Sequence, residues 1–167
     1  MRTVATAAVF ALLFGSAGSM AQQRQTCAVP QLGTWKLQSL TTEDLETGQK
    51  TEPLGAHPSG YLTYGPDCRM SVVIVEDNRK APSALVPTDA EKIDLYNGLI
   101  AYAGTYAIDG DKVSHHIDAS WNQAWTGTTQ VRQFTIDGNT LHLRTMPGKN
   151  PSTGRQGAAD LVWTKVE

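Results

Sequence analysis

Two stretches decide the fold: Tyr102–Ser120, YAGTYAIDGDKVSHHIDAS, and Thr128–Met146, TTQVRQFTIDGNTLHLRTM. Each is a pair of alternating runs broken once, by Asp109-Gly110-Asp111 and by Asp137-Gly138-Asn139. Alternation with a period of two is the mark of a half-buried strand, and Asp-Gly between two such runs is a strong hairpin signal. Working outward, Gly33–Thr41, Ser59–Tyr64, Arg69–Glu76 and Ala158–Val166 read the same way. Gly65-Pro66-Asp67-Cys68 makes a tight turn between the second and third runs. The sum is eight strands: Gly33–Thr41, Ser59–Tyr64, Arg69–Glu76, Tyr102–Ile108, Lys112–Ser120, Thr128–Ile136, Thr140–Met146 and Ala158–Val166. Eight hairpin-linked strands predict an all-β, eight-stranded antiparallel up-and-down barrel, which has no exposed edges and encloses room for one small ligand. A two-sheet sandwich is the alternative.

One short helix is expected between the third and fourth strands. Thr88-Asp89-Ala90-Glu91 is a capping box, and Ile93, Tyr96 and Ile100 follow at helical spacing with Leu95 and Leu99 beside them. Pro82 and Pro87 keep the preceding segment irregular. Pro147–Gly157, PGKNPSTGRQG, reads as a loop before the last strand.

The chain is expected to be exported. Arg2, the apolar run Val4–Phe14 and the small-x-small triplet Ser19-Met20-Ala21 fit a signal peptide over residues 1–21, its apolar run too short to span a membrane. The remainder, 22–167, is one domain of about 146 residues, enough for a real core. Cys27 follows Arg24-Gln25-Thr26 rather than an apolar run, so no lipid anchor is expected. The destination is periplasmic or extracellular. With 14 Lys+Arg against 16 Asp+Glu there is no electrostatic footprint for nucleic acid, and no membrane insertion is expected once the signal is removed. The two cysteines, Cys27 and Cys68, form an even pair in an oxidising compartment and are expected to bridge; two free thiols are the alternative.

Alternation also sorts side chains by face. Tyr102, Tyr106 and Ile108 share a face read as inward. Val113, His115 and Ile117 point in, leaving His116 out. Gln130, Arg132, Phe134 and Ile136 share the inner face of the sixth strand. Tyr102, Tyr106, His115, Gln130 and Arg132 then form a polar cluster in an apolar lumen. A buried Arg is rare unless it is paired or meets a ligand, so the cluster is either a ligand site or a satisfied core network. Trp125, in the irregular Trp121–Trp125 segment, is placed at a barrel mouth, where it lines an entrance or closes it. Trp35 and Trp163 read as barrel-end core.

Adjacent His115 and His116 face opposite ways and cannot share an ion, and His57 and His142 have no ligand spacing to either, so no metal is expected. Gly-x-Ser-x-Gly and phosphate loops are absent, so no cofactor is expected. The leading function is export-side binding of a small hydrophobic or amphipathic molecule. The enzymatic alternative has His115 as acid/base with Tyr106 and Arg132 steadying negative charge on an apolar substrate.

The residues Gly33-Thr34-Trp35-Lys36-Leu37, Gly60-Tyr61-Leu62-Thr63-Tyr64, Pro66-Asp67-Cys68-Arg69-Met70-Ser71, Tyr102-Ala103-Gly104-Thr105-Tyr106, Val113-Ser114-His115-His116, Gln130-Val131-Arg132 and Trp163-Thr164-Lys165-Val166 resemble the lipocalin-like domain proteins, calycin-type barrels, from about Leu32 to Val166. The resemblance implies the small barrel and its lumen and, for the enzymatic alternative, isomerase, cyclase or lyase chemistry. It departs at Cys68, where the family usually has Gly, and at Lys165, where the family usually has an Arg covering the Gly-x-Trp tryptophan. A disulfide would explain a Cys at the first position. At the second, a Lys without the planar guanidinium should stack more weakly on Trp35.

Overall fold

A computed structural model describes residues 27–149 and 154–166; the expected signal peptide, residues 1–21, lies outside the described residues. The strands are β1 (Gly33–Asp44), β2 (Lys50–Thr51), β3 (Ser59–Tyr64), β4 (Arg69–Val75), β5 (Leu99–Asp109), β6 (Lys112–Ser120), β7 (Thr129–Asp137), β8 (Thr140–Thr145), β9 (Gly148–Lys149) and β10 (Gln156–Lys165). Eight of them form a closed antiparallel barrel in the order β1-β3-β4-β5-β6-β7-β8-β10, closed by β10 pairing back on β1. The remaining two are two-residue pieces, β2 against Thr42 and Glu43 of β1 and β9 against Gln156 and Gly157 of β10. The barrel, rather than the sandwich, is the architecture.

The inner faces follow the alternation. Leu62 and Tyr64 from β3, Met70, Val72 and Ile74 from β4, Val113 and Ile117 from β6, Leu141 and Leu143 from β8 and Trp163 from β10 are all buried. Two register shifts re-aim this pattern, between Leu37 and Ser39 in β1 and between Ala103 and Gly104 where β5 meets β6. Gly104 is obligatory there, because a Cβ would stand 1.9 Å from the His116 carbonyl oxygen.

The helix α1 (Asp89–Asn97) is capped as expected: Thr88 accepts from the Glu91 amide, and Glu91 accepts from the Thr88 amide. Its place in the strand count needs correction. It follows β4 rather than the third strand, because the two-residue β2 leaves no alternation to read. It also buries no residue, and Ile93 and Tyr96 are exposed. Gly98 ends it, and Leu99 and Ile100 start β5 by pairing with Val75 and Ile74. The expected loop Pro147–Gly157 is partly strand, as β9 shows, and residues 150–153 of it are outside the described ones.

Two ends of the barrel differ. At one, Trp35 is sealed under Lys165, whose Nζ sits 4.5 Å from the ring centroid and donates to the Leu32 carbonyl, and the Trp35 indole donates to the Gln31 carbonyl at 2.7 Å. Lys165 thus covers the tryptophan as the resemblance implies, through a point charge rather than a stacked plane. The Cys27–Cys68 disulfide closes the same end, tying the residues before β1 to the β3–β4 turn. Cys68 has φ 62°, a backbone conformation that favours glycine. At the other end, β2, β9 and the chain entering β10 frame an opening.

Candidate functional site

His115 is the centre of the inner polar cluster. It projects from β6 between Val113 and Ile117 and has no exposed surface. Its Nε2 lies 2.7 Å from the Tyr64 hydroxyl and its Nδ1 3.3 Å from the Tyr102 hydroxyl. The shorter contact is assigned to Tyr64 O–H donating to Nε2. That puts the ring proton on Nδ1, donating to Tyr102, and leaves the Tyr102 O–H free to donate elsewhere. Burial, with the Arg132 cation adding to it, holds the imidazole well below its usual pKa, so it stays neutral. Burial likewise pushes the Tyr64 hydroxyl well above its usual value and raises that of Tyr102, where Arg132 works in the opposite direction.

This neutral, buried His115 has a measurable consequence. Unfolding releases it to an ordinary pKa near 6.5, so below that pH the unfolded chain takes up a proton that the folded chain refuses. Its contribution to stability is complete above about pH 6.5. It shrinks as pH falls, by up to about 1.4 kcal/mol per pH unit, until the folded imidazole itself protonates. Urea midpoints measured between pH 7.5 and 5.5 should show this slope, and His115→Gln should flatten it. An equal slope in the variant would assign the effect to other groups.

Arg132, on β7, is buried at 7% exposure with its Nη1 lacking any hydrogen-bond partner. Its guanidinium carbon lies 5.9 Å from the Tyr102 ring centroid. Among the described residues it is the one arginine without a hydrogen-bonded partner: Arg69 meets Asp118, Arg79 the Leu95 carbonyl, Arg144 both Glu43 and Asp160, and Arg155 Asp44. Arg132 stands where two spaces meet. Inward is a cavity of about 190 Å³, walled chiefly by Leu62, Val72, Ile74, Leu143, Leu161 and Trp163. Outward is a vestibule of about 470 Å³ with Glu43, Asp44, Lys149 and Arg155 on its rim. Thr42, Trp125, Arg132, Thr145 and Ala159 border both.

The expected site residues therefore separate. Tyr102, His115 and Arg132 come together on the cavity wall, and Trp125 joins them from a short 3-10 turn, edge-on to Tyr102 at 5.8 Å. Gln130 lines the vestibule, half-buried, and donates to Thr128 Oγ1 at 3.5 Å. Tyr106 is buried but lies toward the disulfide end, where its hydroxyl donates to the Gly65 carbonyl at 2.9 Å; it does not line the cavity. His116 faces outward and is exposed, as expected. Tyr64, absent from the expected set, is the nearest partner of His115. Its signal was the phase it shares with Leu62 in Ser59–Tyr64. Trp163, expected as core, is both core and cavity wall, and its Nε1 is buried without a partner. Among the described residues no three His, Cys, Asp or Glu side chains gather into a metal-binding group.

The closed eight-stranded barrel with its internal cavity has a relative in sequence: the lipocalin-like domain family matches residues 32–166, and the chain belongs to it. No match was found among curated proteins. A solved structure of an uncharacterized protein from Bacteroides eggerthii is similar at 13% identity, covering 81% of this chain and 99% of that one, with a TM-score of 0.39; a likeness of that size carries no functional argument.

Proposed function

We propose that the protein binds a small, largely apolar molecule in the barrel lumen. The observation that carries this reading is the cavity of about 190 Å³, walled by aliphatic and aromatic side chains and sharing Trp125 and Arg132 with the outer vestibule. A mostly apolar pocket with a few fixed polar groups is the usual form of a small-molecule site. A cavity of about 150 Å³ lined by apolar side chains already takes up benzene. The disulfide and the signal-like N-terminus favour a protein that works outside the cytoplasm. No described helix is long and apolar enough to cross a membrane. The enzymatic alternative needed His115, Tyr106 and Arg132 around one substrate; with both His115 nitrogens bonded to tyrosines and Tyr106 turned to Gly65, no observation favours it.

A neutral arene tests the reading without invoking charge. Ethylbenzene at about ten times its Kd should stabilise the fold by about 1.4 kcal/mol, a few degrees in Tm. It should also perturb the fluorescence of Trp125 and Trp163, which line the cavity. Ala159→Phe, which places a ring in the lumen from its wall, should abolish both responses. A wild-type protein that neither shifts nor changes its fluorescence would refute the reading.

A further inference from the structure

The polar groups of the lumen are unbalanced. Two buried side-chain donors on the cavity wall have no partner: Arg132 Nη1 and Trp163 Nε1. Tyr102, with its hydroxyl oxygen accepting from His115, offers a third hydrogen. Among the described residues no Asp or Glu lines the cavity. The acids nearest in the vestibule wall, Glu43 and Asp44, are already engaged by Arg144 and Arg155. A purely hydrocarbon guest would leave the Arg132 charge and these donors unsatisfied, the arrangement folded proteins avoid.

We infer that the ligand is a small monocarboxylic acid with an apolar body about the size of one aromatic ring, the body in the lumen and the carboxylate on Arg132 where lumen and vestibule meet. This rests on the reading of the lumen as a ligand site. A carboxylate matches the planar guanidinium fork, and one such cation neutralises one negative charge, so a monoanion fits and a doubly charged head group does not. The size follows from the volume: about 190 Å³ exceeds a benzene-sized cavity by little. A long acyl chain would have to leave the lumen for a vestibule rimmed by Glu43, Asp44, Lys149 and Arg155, where its apolar surface stays wet.

Isothermal titration of the full protein at pH 7 with four probes tests this: phenylacetate, phenylacetamide, ethylbenzene and dodecanoate. Phenylacetate should bind roughly 10- to 100-fold more tightly than phenylacetamide, the difference of a charge-assisted hydrogen bond. Arg132→Met should remove most of that preference, and Arg132→Lys, which keeps the charge but loses the fork, should fall between. Denaturant unfolding of both variants reports whether they are folded, and the acid-to-amide ratio on the wild type needs no variant. Equal affinities for phenylacetate and phenylacetamide, with ethylbenzene still binding, would overturn the inference and leave the lumen reading standing. Tighter binding of dodecanoate than of phenylacetate would overturn the assigned size. Failure of ethylbenzene along with both acids would remove the lumen reading, and the inference with it.

Discussion

Opening the Cys27–Cys68 bridge is expected to cost about 4 kcal/mol of stability. The two cysteines lie 41 residues apart, and the closed loop takes in all of β1 and β3, so the unfolded chain regains a large ensemble when the link is lost. Of the usual stability of a domain this size, roughly 5–15 kcal/mol, that is about a quarter or more. The loss should fall on the sealed end of the barrel first. There the Cys27 amide donates to the Pro66 carbonyl at 2.8 Å, and Cys27 packs against the core. Replacing both cysteines separates the link from the backbone. Cys68 has φ 62°, which costs an L side chain roughly 1 kcal/mol and glycine almost nothing. Cys27→Ser with Cys68→Gly should therefore retain about 1 kcal/mol more than Cys27→Ser with Cys68→Ser. Urea unfolding of oxidised wild type and the two double variants gives all three values. Equal stability of wild type and the Gly variant would show that the bridge adds nothing beyond tolerating a side chain in that turn.

Much of this barrel was written in its alternation, and each place where reading failed has a physical cause. Period two fixes the face of a side chain but not its depth along the strand. His115 and His116 were separable because one residue of phase sends one into the core and the other into solvent, and Arg132 was placed inward by Phe134 and Ile136 beside it. Tyr102 and Tyr106 also share a face, but four residues along β5 carry Tyr106 from the cavity wall to the Gly65 carbonyl near the disulfide. Tyr64 was hidden by Tyr61: one short strand has a tyrosine on each face, and the phase shared with Leu62 is the sequence cue that Tyr64 is the buried one and Tyr61 the exposed one. The capping box and Gly98 fix where the helix starts and ends, but the helical spacing of Ile93 and Tyr96 does not say what covers them: both stay exposed, and Tyr96 meets the Trp121 ring at 6.4 Å between centroids. The two-residue strands β2 and β9 are too short to alternate at all, although they frame the mouth on which the functional reading depends.

Replacing Arg132 by methionine should make the empty protein more stable, by about 1–3 kcal/mol. A cation at 7% exposure with no hydrogen bond or acidic partner among the described residues has given up most of its hydration and received little in return. The compensation visible is the Tyr102 ring, 5.9 Å away, worth about 0.5–1 kcal/mol. Methionine keeps much of the length, fills the same channel between lumen and vestibule, and adds apolar contact with Trp125 and Leu143, which share that wall. The vestibule lets some water reach the guanidinium, which places the expected gain at the lower part of what buried charges cost. Without an acid the variant should unfold at higher urea, with an unchanged m-value. A saturating acid at about 100 times its Kd stabilises the wild type by about 2.7 kcal/mol and the variant far less, so the order of the two midpoints should invert as the acid is added. A residue kept for folding would show the opposite pattern: Arg132→Met would unfold earlier at every ligand concentration, by the 3–5 kcal/mol typical of breaking a buried charge network. The inversion is therefore the result that tells a charge retained for a ligand from a charge retained for the fold, and it needs only two proteins and one titrant.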